Sequence, residues 1–375
     1  MAGIYIHIPF CKQACHYCDF HFSTSMKYKT EMVEALALEI TIRKNEAVNE
    51  KIETIYFGGG TPSVLSNDEI IFLIDKVYQE YDVVDNPEIT LEANPDDLSP
   101  ERIIELSKTP VNRLSIGIQS FFEEDLKMMN RAHNAEEASK CLEAAAKYFD
   151  NISIDLIYGI PGMSLVQWEQ NIEKALSFGV PHISTYALTV EPRTALFQLI
   201  KEGKIEAPKD EIAQEHFAFL MDKLKERGFI HYEISNFGKE GYFSQNNSSY
   251  WLGKKYIGIG PSAHSYDGKS RSWNIPNNVK YIKGITSKKR DFEQEILSSQ
   301  DRYNETVMTG LRTIWGISLS TIQNNFGTEI SDYLIDRAQK FCDDGLLVLE
   351  NGILKTTAKG KFLSDGIASD LFLVE

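Results

Sequence analysis

The sequence lacks three features that would place it in common classes of protein. No apolar run reaches 18 residues, so no membrane-spanning helix is predicted. The N-terminal segment MAGIYIHIPF has neither the basic part nor the long apolar part of a secretory signal. Lys and Arg number 39 against 54 Asp and Glu, a net charge of −15, which disfavours binding to nucleic acid. We therefore expect a cytoplasmic protein with no nucleic-acid partner.

Cysteine is also scarce, and its distribution is uneven. The chain has five cysteines, an odd number, and three of them fall within eight residues as Cys11, Cys15 and Cys18. This usage favours a reducing compartment and a metal site over a disulfide framework. Cys141 and Cys342 lie in helical patterns and are predicted to be buried core thiols.

The spacing Cys-x3-Cys-x2-Cys, with no fourth cysteine nearby, predicts an iron–sulfur cluster with one open iron. A [4Fe–4S] cluster usually takes four thiolates, so three leave one iron free to bind a ligand. A structural Cys3His zinc site remains the alternative, with His7, His16 or His21 as the fourth ligand.

Short apolar runs alternate with helical patterns along the first half of the chain. Helix starts are marked by capping boxes at Ser66/Glu69 and Ser164/Gln167 and by Ser99 before Pro100. The candidate strands are Ile4–Ile8, Thr54–Phe57, Glu88–Ala93, Arg113–Ile118, Ile152–Tyr158 and His182–Leu188. This alternation predicts an α/β fold with a parallel sheet, best described as a partial (β/α)6 barrel with its chemistry at the carboxyl ends of the strands.

The rhythm changes after about residue 188, and three domains are predicted. Residues 1–195 form the partial barrel, residues 196–290 an extension that completes its mouth, and residues 291–375 a C-terminal helical domain. The last domain reads as three helices plus a hairpin across Asn351-Gly352, which is typical of a winged helix. Its recognition helix, near 331–344, carries mixed charge, so packing or partner binding is expected rather than DNA reading.

Several strand ends carry residues suited to holding a ligand. Glycines at 58–60 permit close approach of the backbone, Glu92 offers a carboxylate, and Gln119 follows the fourth strand. Asp155 lies inside an apolar run, where a structural acid bonded to backbone donors is an equal alternative. Each residue taken alone is a weak signal. Together they are a stronger one, because the barrel would bring these strand ends around one mouth.

These residues resemble the radical S-adenosylmethionine (SAM) superfamily. The resemblance implies a [4Fe–4S] cluster on Cys11, Cys15 and Cys18 whose open iron binds SAM, and an electron donor such as flavodoxin or ferredoxin if radical chemistry occurs. Residue by residue it implies that Tyr5 touches the cluster-bound SAM and that Gly59, Gly60 and Thr61 receive its amino group. The remaining polar positions around SAM would be Glu92, Gln119, Arg131 and Asp155.

Longer segments look like one branch of that superfamily, the oxygen-independent coproporphyrinogen III oxidases and their haem-chaperone relatives. The segments are YIHIPFC (5–11), FGGGTPS (57–63), LEANP (91–95), NRLSIGIQSF (112–121), DLIYGIPG (155–162) and GIGPSAHS (258–265). The oxidases carry a further cysteine where this chain has Phe20, so the resemblance favours a haem chaperone that delivers haem to acceptor proteins. Porphyrinogen oxidation is the alternative, and a tRNA-modifying radical enzyme is disfavoured by the charge.

The chaperone branch also carries His-Asn-x-x-Tyr-Trp, which is associated with haem binding. Here Asn246 replaces the histidine, followed by Asn247, Tyr250 and Trp251. An amide is a poor ligand for haem iron, so haem would bind through His231, His264 or Tyr250, or without that axial bond. The alternative for Tyr250 and Trp251 is core packing, and for His264 a bond to backbone. A haem carrier could also contact a membrane peripherally.

Overall fold

The structure is a computed structural model, which describes residues 2–374. The six predicted strands are present and pair in parallel, in chain order. They are β1 (Ala2–Ile8), β2 (Ile52–Gly59), β3 (Val83–Ala93), β4 (Arg113–Gln119), β5 (Ile152–Tyr158) and β6 (His182–Ala187). The α/β partial barrel is therefore confirmed, and all six carboxyl ends face one mouth.

Helices connect these strands and cover the outside of the sheet. The predicted capping boxes are formed at Ser66 and Ser164, and Ser99 caps a helix that begins at Pro100. The helices are α1 (Lys29–Ile42), α2 (Asn67–Glu80), α3 (Pro100–Leu106), α4 (Glu123–Met128), α5 (Ala135–Ala145) and α6 (Leu165–Ser177). Their apolar faces pack on the nearly continuous apolar strands, as expected for a parallel sheet covered by helices.

The segment after β6 extends the same sheet on both sides. It contains α7 (Ala195–Lys201), α8 (Asp210–Glu226), β7 (Ile230–Glu233), β8 (Asn236–Gly238), α9 (Gln245–Trp251), β9 (Lys255–Ile259), β10 (His264–Tyr266), β11 (Ser270–Asn274), α10 (Asn278–Thr286) and β12 (Phe292–Ile296). The sheet order is β12-β11-β10-β9-β1-β2-β3-β4-β5-β6-β8-β7, twelve strands. Strand β9 runs parallel to β1, which brings the loop after Ile259 to the barrel mouth.

The C-terminal part of the chain forms a module with its own apolar core. Its elements are α11 (Ser299–Leu311), β13 (Ile317–Ser318), α12 (Leu319–Phe326), α13 (Thr328–Asp343), β14 (Leu347–Glu350), β15 (Ile353–Thr356) and α14 (Ser364–Asp370). Asn351 and Gly352 both have positive φ, as a tight hairpin turn requires. The predicted helices and hairpin are present, and α14 is an additional helix.

Two details differ from the sequence-based expectation. Cys141 is fully buried, but Cys342 is only half-buried at the edge of the C-terminal core, because its helix packs one face and leaves the other in solvent. Residues 292–296, assigned to the C-terminal domain, pair with β11 and so belong to the large sheet. Within residues 2–374, no helix combines the length and the apolar character needed to cross a membrane.

Candidate functional site

The loop with the three cysteines is fastened to the barrel mouth by backbone hydrogen bonds. The Cys11 amide donates to the Ser23 carbonyl over 3.1 Å, and the His16 amide donates to the Met129 carbonyl over 3.0 Å. The Asn130 side chain also donates to the Ala14 carbonyl over 2.7 Å. The loop therefore keeps its shape through contacts with the turn that follows α4.

Two polar side chains contact the cysteine sulfurs directly. The Thr61 hydroxyl donates to Cys11 Sγ over 3.3 Å, and the Arg131 guanidinium donates to Cys15 Sγ over 3.3 Å. Burial, only partly offset by the Thr61 hydroxyl, raises the pKa of the Cys11 thiol to about 11. A cationic donor beside the sulfurs suits thiolates that bind metal, because binding requires their deprotonation.

The histidines near the loop bear on the zinc alternative, although a backbone hydrogen bond through one ring nitrogen leaves the other nitrogen able to bind metal. His7 donates from Nε2 to the His21 carbonyl over 2.9 Å, and His16 donates from Nδ1 to the Met128 carbonyl over 2.8 Å. Among residues 2–374, no group of three or more His, Cys, Asp or Glu side chains is arranged to hold a single metal ion. Three thiolates that are spread apart, with no histidine grouped beside them among the described residues, suit a cluster, whose thiolates bind separate irons, better than a Cys3His zinc site.

The glycine segment after β2 passes tightly against the first strand. A Cβ on Gly60 would lie 2.7 Å from the Phe10 carbonyl oxygen and 2.8 Å from that of Ile8. Gly59 has φ +105°, and the Thr61 amide donates to the Phe10 carbonyl over 2.7 Å. Only glycine allows this approach, which leaves the backbone of residues 59–61 lining the cavity beside the cysteines.

Two carboxylates also line that cavity, and one of them, Glu92, lies against the glycine segment. Burial raises the pKa of Glu92 to about 7, although the Tyr56 hydroxyl donates to its Oε1 over 2.7 Å. Burial also raises the pKa of Asp155 to about 6, with Ser115 donating to it over 3.5 Å. Such carboxylates can accept hydrogen bonds from ligand hydroxyls, as the ribose of SAM would require.

Arg131 connects the cysteine loop to the ends of β3 and β4. Its guanidinium donates to the Asn94 side chain over 2.7 Å and to the Gly117 carbonyl over 2.9 Å. Gln119 has φ +68° and is buried at the end of β4, and its side-chain Nε2 lies against Gly117, 2.8 Å from where a Cβ would stand. The Arg131 Nε has no partner among the described residues although it is buried, which leaves a donor for a ligand.

A cavity of about 150 Å³ joins these groups. Ten of the eleven residues predicted to hold the cluster and SAM line it: Cys11, Cys15, Cys18, Gly59, Gly60, Thr61, Glu92, Gln119, Arg131 and Asp155. Tyr5 does not; it lies on the wall of a neighbouring cavity. The arrangement fits a three-thiolate cluster with SAM on its open iron, because anionic, cationic and backbone groups face one space.

The neighbouring cavity, of about 460 Å³, is here called the tyrosine–histidine cavity. It shares Phe20, Gly59 and Glu92 with the cysteine cavity. Its other lining residues are Tyr5, His7, His21, Tyr250, Tyr256, Ser262, Ala263 and His264. This volume is within the range of about 300–1,000 Å³ that is usual for ligand pockets. A ligand there would lie directly beside the cysteine cavity.

The four residues of the predicted haem motif do not face one common cavity in the structure. Asn246 is 3% exposed, and its side-chain oxygen accepts a hydrogen bond from the Thr54 hydroxyl over 3.2 Å. Its backbone N–H donates to the Glu88 carboxylate over 3.1 Å. The backbone N–H of Asn247 donates to the hydroxyl of Ser244, which is the N-cap residue of α9. Only Tyr250 reaches the tyrosine–histidine cavity, because the helical spacing turns Trp251 toward the C-terminal module.

The two histidines considered for haem differ in availability. His231 donates from Nε2 to the Ile234 carbonyl over 3.0 Å and stacks on Phe237 with ring centroids 4.0 Å apart. His264 is exposed, stacks on Trp273, and makes no side-chain hydrogen bond to the described residues. The bond to backbone considered for His264 is therefore not formed with the described residues, and both its ring nitrogens are available, whereas His231 is bonded to backbone.

Sequence reasoning missed part of this cavity wall. Tyr256 and Ser262 gave no signal of their own, since Tyr256 lies in β9, which was not predicted, and Ser262 lies in the loop after that strand. His21 was considered only as a zinc ligand, yet its Nε2 lies 2.8 Å from Asn278 Oδ1 and its ring lines the cavity. The segment GIGPSAHS, which ends beside these residues, was the available signal.

Comparisons with known proteins agree with this geometry. Residues 5–175 match the family model of the radical SAM superfamily, and residues 297–363 match that of the HemN C-terminal domain. The haem chaperone HemW of Bacillus subtilis (strain 168) is 33% identical over 371 residues, covering 98% of each chain. HemW of Lactococcus lactis is also 33% identical, covering 98% of this chain and 97% of its own.

A vertebrate relative and a solved structure extend the comparison. The mitochondrial radical S-adenosyl methionine domain-containing protein 1 of Danio rerio is 31% identical, over 99% of this chain and 87% of its own. The structure of HemN, the coproporphyrinogen III oxidase of Escherichia coli, superimposes with a TM-score of 0.84 at 22% identity, covering 99% of this chain and 90% of that one. At that identity the superposition supports the fold alone.

Proposed function

We propose that this chain is a haem chaperone, on the premise that it belongs to the radical SAM superfamily and, within it, to the HemW family. One observation carries the proposal: two relatives called haem chaperone HemW match it over nearly their whole length and its own. The family implies a [4Fe–4S] cluster and SAM, for which the cysteine cavity supplies suitable groups.

In this proposal the cysteine cavity holds the resident cofactors. Cys11, Cys15 and Cys18 would bind the cluster, and Arg131 would hold the Cys15 sulfur in place. Gly59–Thr61 backbone groups would face the amino group of SAM, while Glu92 and Asp155 would accept from its hydroxyls. When reduced, such a cluster supplies an electron to bound SAM. A flavodoxin or ferredoxin is the class of donor we expect if that electron is used.

Haem, as cargo, would occupy the tyrosine–histidine cavity. His264 is the best-placed axial ligand in the described wall, because its imidazole is exposed and uncommitted. Partial burial in the cavity wall and the charge of Arg271 lower the pKa of His264, which favours the neutral ring that can bind iron. Asn246, held inside by Thr54 and Glu88, would support Tyr250 rather than touch the cargo.

Haem titration followed by absorbance tests this assignment. After anaerobic cluster reconstitution, wild type should bind haem saturably, and His264→Ala should weaken binding by about tenfold, equivalent to about 1.4 kcal/mol. Lys269→Ala, an exposed side chain in the same extension, is the matched control and should bind like wild type. Wild-type affinity in His264→Ala would exclude His264 as the ligand.

The same preparation separates this function from porphyrinogen oxidation. Supplied with SAM and a reductant, it should leave coproporphyrinogen III unchanged, because Phe20 occupies the position of the further cysteine in the oxidases. Conversion of coproporphyrinogen III, combined with a lack of saturable haem binding, would replace the proposed function with the enzymatic one.

A further inference from the structure

A third cavity lies between the barrel extension and the C-terminal module. Its volume is about 350 Å³, and it is here called the outer cavity. Residues of α9 and of the β10–β11 turn form one side, and residues of α11 and α12 form the other. Tyr250 and Tyr256 line both this cavity and the tyrosine–histidine cavity, so one pair of rings separates the two spaces.

The walls of the outer cavity are unusually aromatic. Five aromatic side chains line it: Tyr250, Trp251, Tyr256, Tyr266 and Phe326. Tyr250 and Tyr256 meet edge to face with ring centroids 4.5 Å apart, and Tyr266 lies 6.2 Å from Tyr256. Such surfaces favour a flat, apolar ligand, because rings stack and bury area with little loss of side-chain entropy.

The charged groups of the outer cavity leave an excess of one positive charge. Arg271 pairs with Glu305 over 2.9 Å, across the boundary between sheet and C-terminal module. Arg302 also lines the cavity, and its guanidinium has no ion pair or hydrogen bond with residues 2–374. Two guanidinium groups against one carboxylate attract an anion, in a chain whose net charge is −15.

Arg271 also has a donor that nothing satisfies. Its Nε is buried and has no partner among the described residues, although the other end of the guanidinium pairs with Glu305. A buried donor without an acceptor costs free energy unless a ligand completes it. A carboxylate bound by Arg271 would supply that acceptor, with the bidentate geometry that guanidinium groups prefer.

We propose that the outer cavity recognises the carboxylates of a tetrapyrrole, with Arg302 and Arg271 as the anion-binding groups and the five aromatic side chains as the walls. This inference rests on the proposed haem-carrying function and deepens it. Haem joins an apolar macrocycle to two propionates, which is the combination of surfaces that the outer cavity offers. The outer cavity is open to solvent at the module boundary, so the cargo is held there by its acidic edge before or after it occupies the tyrosine–histidine cavity.

The chemistry of the walls argues against simpler ligands. A small inorganic anion would leave the five aromatic side chains of the wall without a contact to the ligand. A flat ligand without charge would leave the Arg302 guanidinium and the Arg271 Nε without an acceptor. A flat acid is the class that satisfies both, and within the proposed function the flat acid is haem.

The test compares haem with its dimethyl ester, in which both propionates are uncharged, on the reconstituted full-length protein. Wild type should bind the ester about tenfold more weakly than haem. Arg302→Gln should lose a similar factor for haem and none for the ester, because the lost attraction involves the carboxylates. Arg302→Lys, which keeps the charge, should retain most of the affinity, and Arg337→Gln, an exposed arginine of α13, is the matched control.

The outcomes separate this inference from the function on which it rests. Equal affinity of wild type for haem and ester, together with unchanged haem binding in Arg302→Gln and Arg271→Gln, would overturn the outer-cavity assignment while the chaperone function stands. Failure of wild type to bind haem at all would instead contradict the proposed function.

Discussion

At the scale of single residues, burial controls the protonation of the carboxylates that face the cofactor cavity. Glu92 lies near the end of β3 and Asp155 in the middle of β5, and both are half-buried on the wall of the cofactor cavity, between buried apolar neighbours. Their pKa values are raised to about 7 and about 6, respectively, by that burial. Near neutral pH, Glu92 can therefore change its charge with small changes in pH or in the occupancy of the cavity.

Glu92 should make the stability of the protein depend on pH in a defined direction. Its pKa in the folded state, about 7, exceeds the ordinary value of 4.5 for a glutamate. Folding therefore favours the protonated form of Glu92. The contribution of this residue to stability is fully present below pH 4.5 and is lost as pH rises through 7. The test is urea unfolding of cofactor-free wild type and of Glu92→Gln. The difference between their free energies of unfolding should change by up to about 3 kcal/mol between pH 4.5 and pH 7.

The comparison with the glutamine variant isolates the one carboxyl, since all other titrating groups are common to both proteins. A constant difference in the free energy of unfolding between the two proteins from pH 4.5 to pH 8 would contradict the raised pKa.

Sequence analysis named both carboxylates, Glu92 and Asp155, as site residues. Their pKa shifts could not be predicted, because burial at a strand end depends on α9 and the extension packing over the mouth.

At the scale of elements, the contact between the end of β2 and the end of β1 positions the cluster site. Gly60 passes the carbonyls of Ile8 and Phe10 at distances that leave no room for a side chain. Its neighbour Thr61 then donates to Cys11 Sγ, so the two strand ends and the cysteine loop form one unit. The glycine run signalled a close approach in the sequence, and the structure identifies its partner as backbone.

Gly60→Ala should disrupt that unit. The added methyl group would push against two backbone carbonyls rather than flexible side chains, so a loss of about 2 kcal/mol or more in unfolding free energy is expected. Iron content after anaerobic reconstitution should fall as well. Gly366→Ala is the matched control, because nothing lies within 4 Å of its added Cβ and it sits in α14, where alanine is favoured.

The two substitutions are informative as a pair, since each adds one methyl group to a glycine. If Gly60→Ala binds as much iron and is as stable as Gly366→Ala, β1 and β2 can separate without affecting the site.

Strand positions such as β5 were predictable from their apolar runs and turn residues. Strands β7 to β11 were not, because they are short and contain Tyr, Ser, Asn and Gly, and their burial is decided by tertiary contacts. Strand β12 was not predicted either, because its sequence, FEQEI, is charged and exposed.

At the scale of the whole molecule, two apolar cores divide the chain. One runs through the barrel and its extension as far as Ile285, and the other joins residues of the C-terminal module between Tyr303 and Leu371. Between them, the Ile314 amide donates to the Tyr232 carbonyl over 3.0 Å and Lys361 donates to the His231 carbonyl over 3.1 Å. The cofactor cavity depends on the first core alone, whereas the outer cavity needs both.

This division predicts different effects of matched core substitutions. Leu334→Ala removes a fully buried side chain from the C-terminal core, and Leu114→Ala does the same in β4. Each should cost about 2–5 kcal/mol. Iron content after reconstitution should stay at the wild-type level in Leu334→Ala and fall in Leu114→Ala. Equal loss of iron in both variants would show that the module is needed to build the cluster site.

The most direct test of the account is one haem titration of wild-type protein in which iron, sulfide and zinc have first been measured. We predict about four irons and four sulfides per chain after anaerobic reconstitution, no stoichiometric zinc, and a saturable absorbance change at one haem per chain. Stoichiometric zinc without iron would contradict the cluster. A full cluster with no saturable response to haem would contradict the chaperone function.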